Sequence, residues 1–239
     1  MRIRLTSFRA TSALAAVSAL LLVTVSAEAA EGSFTRSLSV TGAVELDVTT
    51  GSGNITVRGG EPGQVRVTGR IKTRSRWLGV SWNGEELVQR LVASPPIEQQ
   101  GNIVRVGYIK DAALRRNVSI SYELVVPPQS RVRSETGSGS VGLSGVRGGL
   151  QVSTGSGDIT IQGEPTAEWE VEASSGSITL RLSLQAAFEV EAHAGSGRIS
   201  TDHPLTVQGK IGHKELRGKV RGGGVKLALR TSSGDIRIE

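Results

Sequence analysis

A six-residue phrase built on Ser-Gly recurs six times along the chain, and a recurrence of that kind limits what the chain can fold into more than any single residue does. It reads TGSGNI at Thr50–Ile55, TGSGSV at Thr136–Val141, TGSGDI at Thr154–Ile159, ASSGSI at Ala173–Ile178, AGSGRI at Ala194–Ile199 and TSSGDI at Thr231–Ile236. Its last glycine falls at Gly53, Gly139, Gly157, Gly176, Gly197 and Gly234. From Gly139 the steps are 18, 19, 21 and 37 residues, the last equal to about two repeats with one copy degraded. A period near twenty signals stacked copies of one small supersecondary unit. These six glycines are expected to be structural turn residues.

The flanks of each phrase alternate apolar and polar residues, the pattern of half-buried strands. Ile55/Val57, Val141/Leu143, Ile159/Ile161, Ile178/Leu180 and Ile236/Ile238 follow the turns, while Val44/Leu46/Val48, Phe188/Val190/Ala192 and Val225/Leu227/Leu229 precede them. A repeat is therefore strand, Ser-Gly turn, strand, second glycine-containing turn. No helix-period segment of useful length is apparent. The expected fold is all-β, a β-solenoid or β-helix-like stack of two-strand coils, with an antiparallel meander or sandwich as the alternative. Residues 30–128 form an N-terminal β section continuous with the repeats, and residues 129–239 hold the glycine-rich repeats.

Residues 1–29 read as a secretory leader. Arg2, Arg4 and Arg9 precede an apolar run from Ala13 to Val25, and Ala27-Glu28-Ala29 gives a small-x-small cleavage pattern. The run is thirteen residues, short of the ~20 that span a bilayer. The expectation is export to the periplasm, cell surface or medium, with no transmembrane segment after removal of the leader. Cysteine is absent, which excludes disulfides, thiol catalysis and Cys-ligated zinc. Removing the leader leaves 25 basic and 21 acidic residues, a mild excess that falls short of a dedicated nucleic-acid binder. Aromatics are only 3% of the chain, so the core must come from Val, Ile and Leu.

In its order of features the chain resembles a bacterial putative-adhesin family of secreted β-strand-repeat proteins, a domain of unknown function. An early strand and glycine turn (Val44–Val57) lead to irregular strands closing on a Val-Pro step (Leu124–Pro127). Repeated Ser-Gly turns follow, and the chain ends on LRGKVRGGGVKLALRTSSGDIRI (Leu216–Ile238). The resemblance implies a β-helix-like fold and an envelope or surface role, and it lends no catalytic residues.

Gly155–Asp158 is similar to calcium-binding nonapeptide repeats, but calcium needs carboxylates recurring at one position of successive turns. That position holds Asn54, Ser140, Asp158, Ser177, Arg198 and Asp235, a mixture that suits turn stabilisation through side-chain-to-backbone bonds. The few aspartates do not pair at the coil offset as a glycosidase would require. His193, His203 and His213 are ten residues apart, out of step with the repeat, and are expected at the surface or in turns. Glu168, Glu170 and Glu172 lie on a solvated strand face. No Gly-x-Ser-x-Gly elbow is present.

The one charge pattern of interest is Arg66, Arg70, Lys72, Arg74 and Arg76, which a strand sets on one face. It suits a polyanion such as lipopolysaccharide, an acidic glycan, an anionic lipid or DNA, or else a charged edge strand that discourages aggregation. The leading expectation is a non-enzymatic envelope protein with no cofactor, no metal and no small-molecule substrate. The alternatives are polyanion binding through the basic strand, and a carbohydrate-active or calcium-dependent β-helix protein. Self-association through an exposed coil end at Ile238 is also expected.

Overall fold

The computed structural model describes residues 30–73, 84–207 and 212–239, so the leader at residues 1–29 lies outside the described residues. In chain order, β1 (Glu31–Ser39), β2 (Glu45–Ser52), β3 (Ile55–Gly59) and β4 (Gln64–Thr73) come first. Helix α1 (Gly84–Ala93), β5 (Ile97–Gln100), β6 (Ile103–Val106), helix α2 (Ala112–Asn117) and β7 (Val118–Val126) follow. The repeats are the pairs β8 (Arg131–Ser138) and β9 (Val141–Ser144), β10 (Leu150–Ser156) and β11 (Ile159–Gly163), and β12 (Trp169–Ser175) and β13 (Ile178–Leu182). Next come β14 (Phe188–Ser196) and β15 (Ile199–Thr201), then β16 (Leu205–Val207) and β17 (Glu215–Val220), and finally β18 (Val225–Ser233) and β19 (Ile236–Ile238).

In each repeat the Ser-Gly turn sends the chain from one sheet to the other. The first strands join a ten-stranded sheet ordered β16-β17-β14-β18-β12-β10-β8-β2-β6-β5, and the second strands join a nine-stranded sheet ordered β1-β4-β7-β3-β9-β11-β13-β19-β15. Neighbouring repeats are parallel and in register, as Val152 opposite Val171 and Ile159 opposite Ile178 illustrate. Each coil thus adds one strand to each sheet, and the alternate apolar residues meet between the sheets. One buried cluster runs from Phe34 to Ile238 through both halves of the chain. This is the expected β-solenoid, with parallel stacking in place of the antiparallel alternative.

The stacking order differs from the chain order at both ends. The last pair, β18–β19, does not close the stack but slots between β12–β13 and β14–β15, with Leu227 opposite both Trp169 and Val190. The step of 37 residues therefore hides no degraded repeat. Residues after β15 form the antiparallel β16 and β17, with β17 against β14, before the chain returns to fill the gap. Burial drives the return, since Leu227, Leu229, Ile236 and Ile238 are all enclosed there. Ile238 is an interior residue, and the open edge expected at it is absent. The early pair β2–β3 is likewise flanked on both sides, by β8–β9 and by β6 and β7.

Two helices correct the all-strand reading of the N-terminal section, residues 30–128. Glu85 and Glu86 open α1 and Arg90 lies in its last turn, complementing the helix dipole, while Val88 and Leu91 are buried. The helix lies close on β1 because Gly32 has no side chain; a Cβ there would meet Val88 Cγ1 at 2.3 Å. The second correction concerns β4, which pairs with β1 on one side and β7 on the other. It is not an edge strand, so its charges do not guard an edge.

The turn glycines set the coil spacing. At Gly176 φ is +147°, and an added Cβ would stand 1.9 Å from the carbonyl oxygen of Gly157 in the next coil. Gly176→Ala is expected to cost about 3 kcal/mol in denaturant unfolding, because both the dihedral and the backbone contact resist the methyl group. Gly142, with no heavy atom within 4 Å of such a Cβ, gives the control: Gly142→Ala should stay within about 0.5 kcal/mol of the parent.

Candidate functional site

The position after each turn glycine, a candidate calcium ligand in the sequence, is a hydrogen-bond ladder in the structure. Asn54 N–H donates to Ser121 Oγ at 3.1 Å, Ser140 N–H to Asn54 Oδ1 at 3.0 Å, and Asp158 N–H to Ser140 Oγ at 3.3 Å. Ser177 N–H donates to Asp158 Oδ1 at 2.8 Å, Asp235 N–H to Ser177 Oγ at 3.3 Å, and Arg198 N–H to Asp235 Oδ1 at 2.9 Å. In stack order the row is Ser, Asn, Ser, Asp, Ser, Asp, Arg. Every side chain followed by another coil is an acceptor, and Arg198 stands where the ladder ends. A serine always separates the two aspartates, which keeps like charges two strand spacings apart, about 9.6 Å. Among the described residues, no group of three His, Asp or Glu side chains could hold a metal ion. One layer inward, Thr136, Thr154 and Thr231 donate their hydroxyls to the carbonyls of Gly53, Gly139 and Gly176.

The basic strand is partly neutralised. Arg66, Arg70 and Lys72 share the exposed face of β4 opposite buried Val65, Val67 and Ile71, whereas Arg74 and Arg76 lie outside the described residues. Arg70 pairs with Glu123 of β7 at 3.0 Å and Lys72 with Glu31 of β1 at 2.8 Å. Strand pairing places Glu31 directly opposite Lys72, and Glu123, opposite Thr68, on the diagonal from Arg70, a fact hidden in a one-dimensional reading. The same holds on the other sheet, where Lys219 meets Glu189, and Arg217 meets Glu191, each at 2.7 Å. Glu191 also lies near Lys226, and these contacts hold its carboxyl below the usual range. Glu170 and Glu172 are exposed on β12 as expected, and Glu168 is exposed just before it.

The histidines stay apart, but His203 corrects the surface expectation. It is buried, with neither ring nitrogen hydrogen-bonded, and packs edge-on against Phe188 at 5.4 Å between centroids. His193 and His213 are exposed.

Sequence reasoning missed a cleft of about 650 Å³ beside β2. Opposite β2, β6 ends at Val106, so it pairs only with Glu45–Val48. The chain then leaves the ten-stranded sheet at Gly107 and passes through α2 into the nine-stranded sheet as β7. Thr49, Thr50 and Gly51 of β2 consequently border open space. Asp47, Glu98, Glu135, Arg105, Lys110 and both tyrosines line that space. The Tyr108 hydroxyl donates to Asp47 Oδ2 at 2.7 Å, and this bond, aided by partial burial, raises its pKa above the ordinary value. Tyr122 is buried, its hydroxyl has no partner, and burial alone pushes its pKa up strongly. The spacing of Asp47, Tyr108 and Glu135 along the chain carries no signal, because the cleft exists only where the crossover breaks the coil rhythm.

The C-terminal repeats, residues 129–239, match the model of a family described as Toastrack DUF4097, which bears out the resemblance to the putative-adhesin group. None of the curated proteins compared matches the chain. Among solved structures, a putative cell adhesion protein from Clostridium sporogenes ATCC 15579 aligns with a TM-score of 0.65 at 14% identity, over 87% of this chain and 99% of that one. A putative adhesin from Bacteroides fragilis NCTC 9343 aligns over 87% of this chain and 97% of its own, at 10% identity and a TM-score of 0.25. The first of these supports the fold.

Two measurements check this geometry. Ser177→Asp puts three aspartates in consecutive coils and should destabilise by about 1 kcal/mol at low salt, an effect that shrinks in concentrated salt. In an alkaline titration followed by phenolate absorbance, both tyrosines should ionise above the ordinary value near ~10. Asp47→Ala should return Tyr108 toward that value and leave Tyr122 high, because only the first shift depends on a carboxylate.

Proposed function

We propose that this protein is a non-enzymatic, exported module of the bacterial envelope, acting in surface attachment or as a structural element. The observation that carries the reading is the use made of polar side chains along the stack. The serine, asparagine and aspartate row is spent on backbone amides of the next coil, and the threonine row on the carbonyls beneath. Opposite charges on the outer faces meet across strands. Such a molecule spends the polar rows beside its turns on its own backbone and presents its outer faces to partners. The family matched by residues 129–239 and the cell-adhesion description of one structural relative point the same way, by analogy of fold.

Export rests on the leader pattern of residues 1–29. No described helix is long and apolar enough to cross a membrane. Attachment through anionic envelope components would draw first on Arg66 of the exposed β4 face, since Glu123 and Glu31 pair with Arg70 and Lys72.

Expression of the full chain with a C-terminal tag, followed by fractionation and intact-mass measurement, tests the proposal. The expected product starts at Ala30 and is found outside the cytosol. A full-length chain retained in the cytosol would refute export, and with it the envelope role.

A further inference from the structure

We propose that the cleft beside β2 is a binding site for a short saccharide. The inference stands on side chains that the fold gathers there and is independent of the export reading.

The aromatic content is the first observation. The whole chain has two tyrosines, three tryptophans and three phenylalanines, and both tyrosines line this one cleft. Tyr108 is 45% exposed, yet its hydroxyl is tied to Asp47 at 2.7 Å. An exposed ring fixed at its far end is a flat apolar platform that loses little rotamer freedom when something lies on it. A pyranose presents such a face through its ring C–H groups, with hydroxyls at the rim.

The second observation is the hydroxyl of Tyr122. The residue is 1% exposed, and its oxygen has no hydrogen-bond partner. Thr50, which also lines the cleft, already donates to the carbonyls of Ile120 and Ser52. An unpaired buried hydroxyl keeps its desolvation cost uncompensated, and a ligand hydroxyl that reaches it from the cleft relieves that cost.

The third observation is the balance of charge. Asp47 and Glu135 supply acceptors, while Arg105 and Lys110 supply donors. A sugar hydroxyl donates and accepts at once, so neighbouring hydroxyls need both kinds of group side by side. A simple anion would face the carboxylates, and a simple cation would face the arginine and lysine. The volume of about 650 Å³ falls within the ~300–1,000 Å³ of small-molecule sites.

The test is calorimetric titration of the full chain with cellobiose, di-N-acetylchitobiose and digalacturonic acid. At least one should bind, and two variants should each weaken that binding about tenfold or more. Tyr108→Ala removes the platform from an exposed position. Gly51→Phe fills the cleft, and an added Cβ at Gly51 would meet only the Arg115 carbonyl oxygen, at 3.9 Å. Melting temperatures identify any variant that fails to fold, in which case the other decides. The assignment is overturned if the folded chain takes up none of the three at up to about 10 mM, or if binding is unchanged in either folded variant.

Discussion

The contact on which this structure depends is the approach of each turn glycine to the backbone of the next coil. With φ between +135° and +154° at Gly53, Gly139, Gly157, Gly176, Gly197 and Gly234, the chain turns from one sheet to the other without a side chain in the way. The carbonyl of the neighbouring coil fills the space a Cβ would need. That contact locks coil to coil at the spacing of paired strands. From it follow the in-register parallel pairing, the meeting of Val, Ile and Leu rows between the sheets, and the side-chain ladders on either side of the turn.

Once the coils are locked, polar residues take roles their position along the chain does not specify. A serine or aspartate after the glycine accepts from the amide of the coil above it. Arg198 breaks the acceptor pattern because no further coil follows it, and it is therefore the residue that marks the end of the stack. The antiparallel additions, β1 and β4 at one end and β16 and β17 at the other, cap a parallel stack whose open flanks would otherwise invite pairing with other chains.

The cleft has the opposite origin. It lies where the coil rule is suspended, at the departure of the chain after β6 and its return through α2. In the regular coils the polar rows beside the Ser-Gly turn are spent on the backbone of the next coil, and the interrupted coil gathers polar side chains around an open cleft. Tyr122, with its unpartnered hydroxyl, sits at that interruption.

The sequence by itself determined the coil. The recurrent glycine and the period-two apolar pairs are local properties, and they fix an all-β stack with a thin aliphatic core. Residues whose meaning is relational were illegible. Arg70 and Lys72 read as a free basic face until strand pairing brought Glu123 and Glu31 beside them. Val225–Ile238 read as the last coil, but burial of its apolar row between two earlier strands placed it inside the stack. The Val88 and Leu91 face of α1 was too short to stand out beside alternating strands. Tertiary structure decided these points, and the cleft with them. Strand order and opposition depend on which surfaces are left to cover when a segment arrives, and no local pattern encodes that.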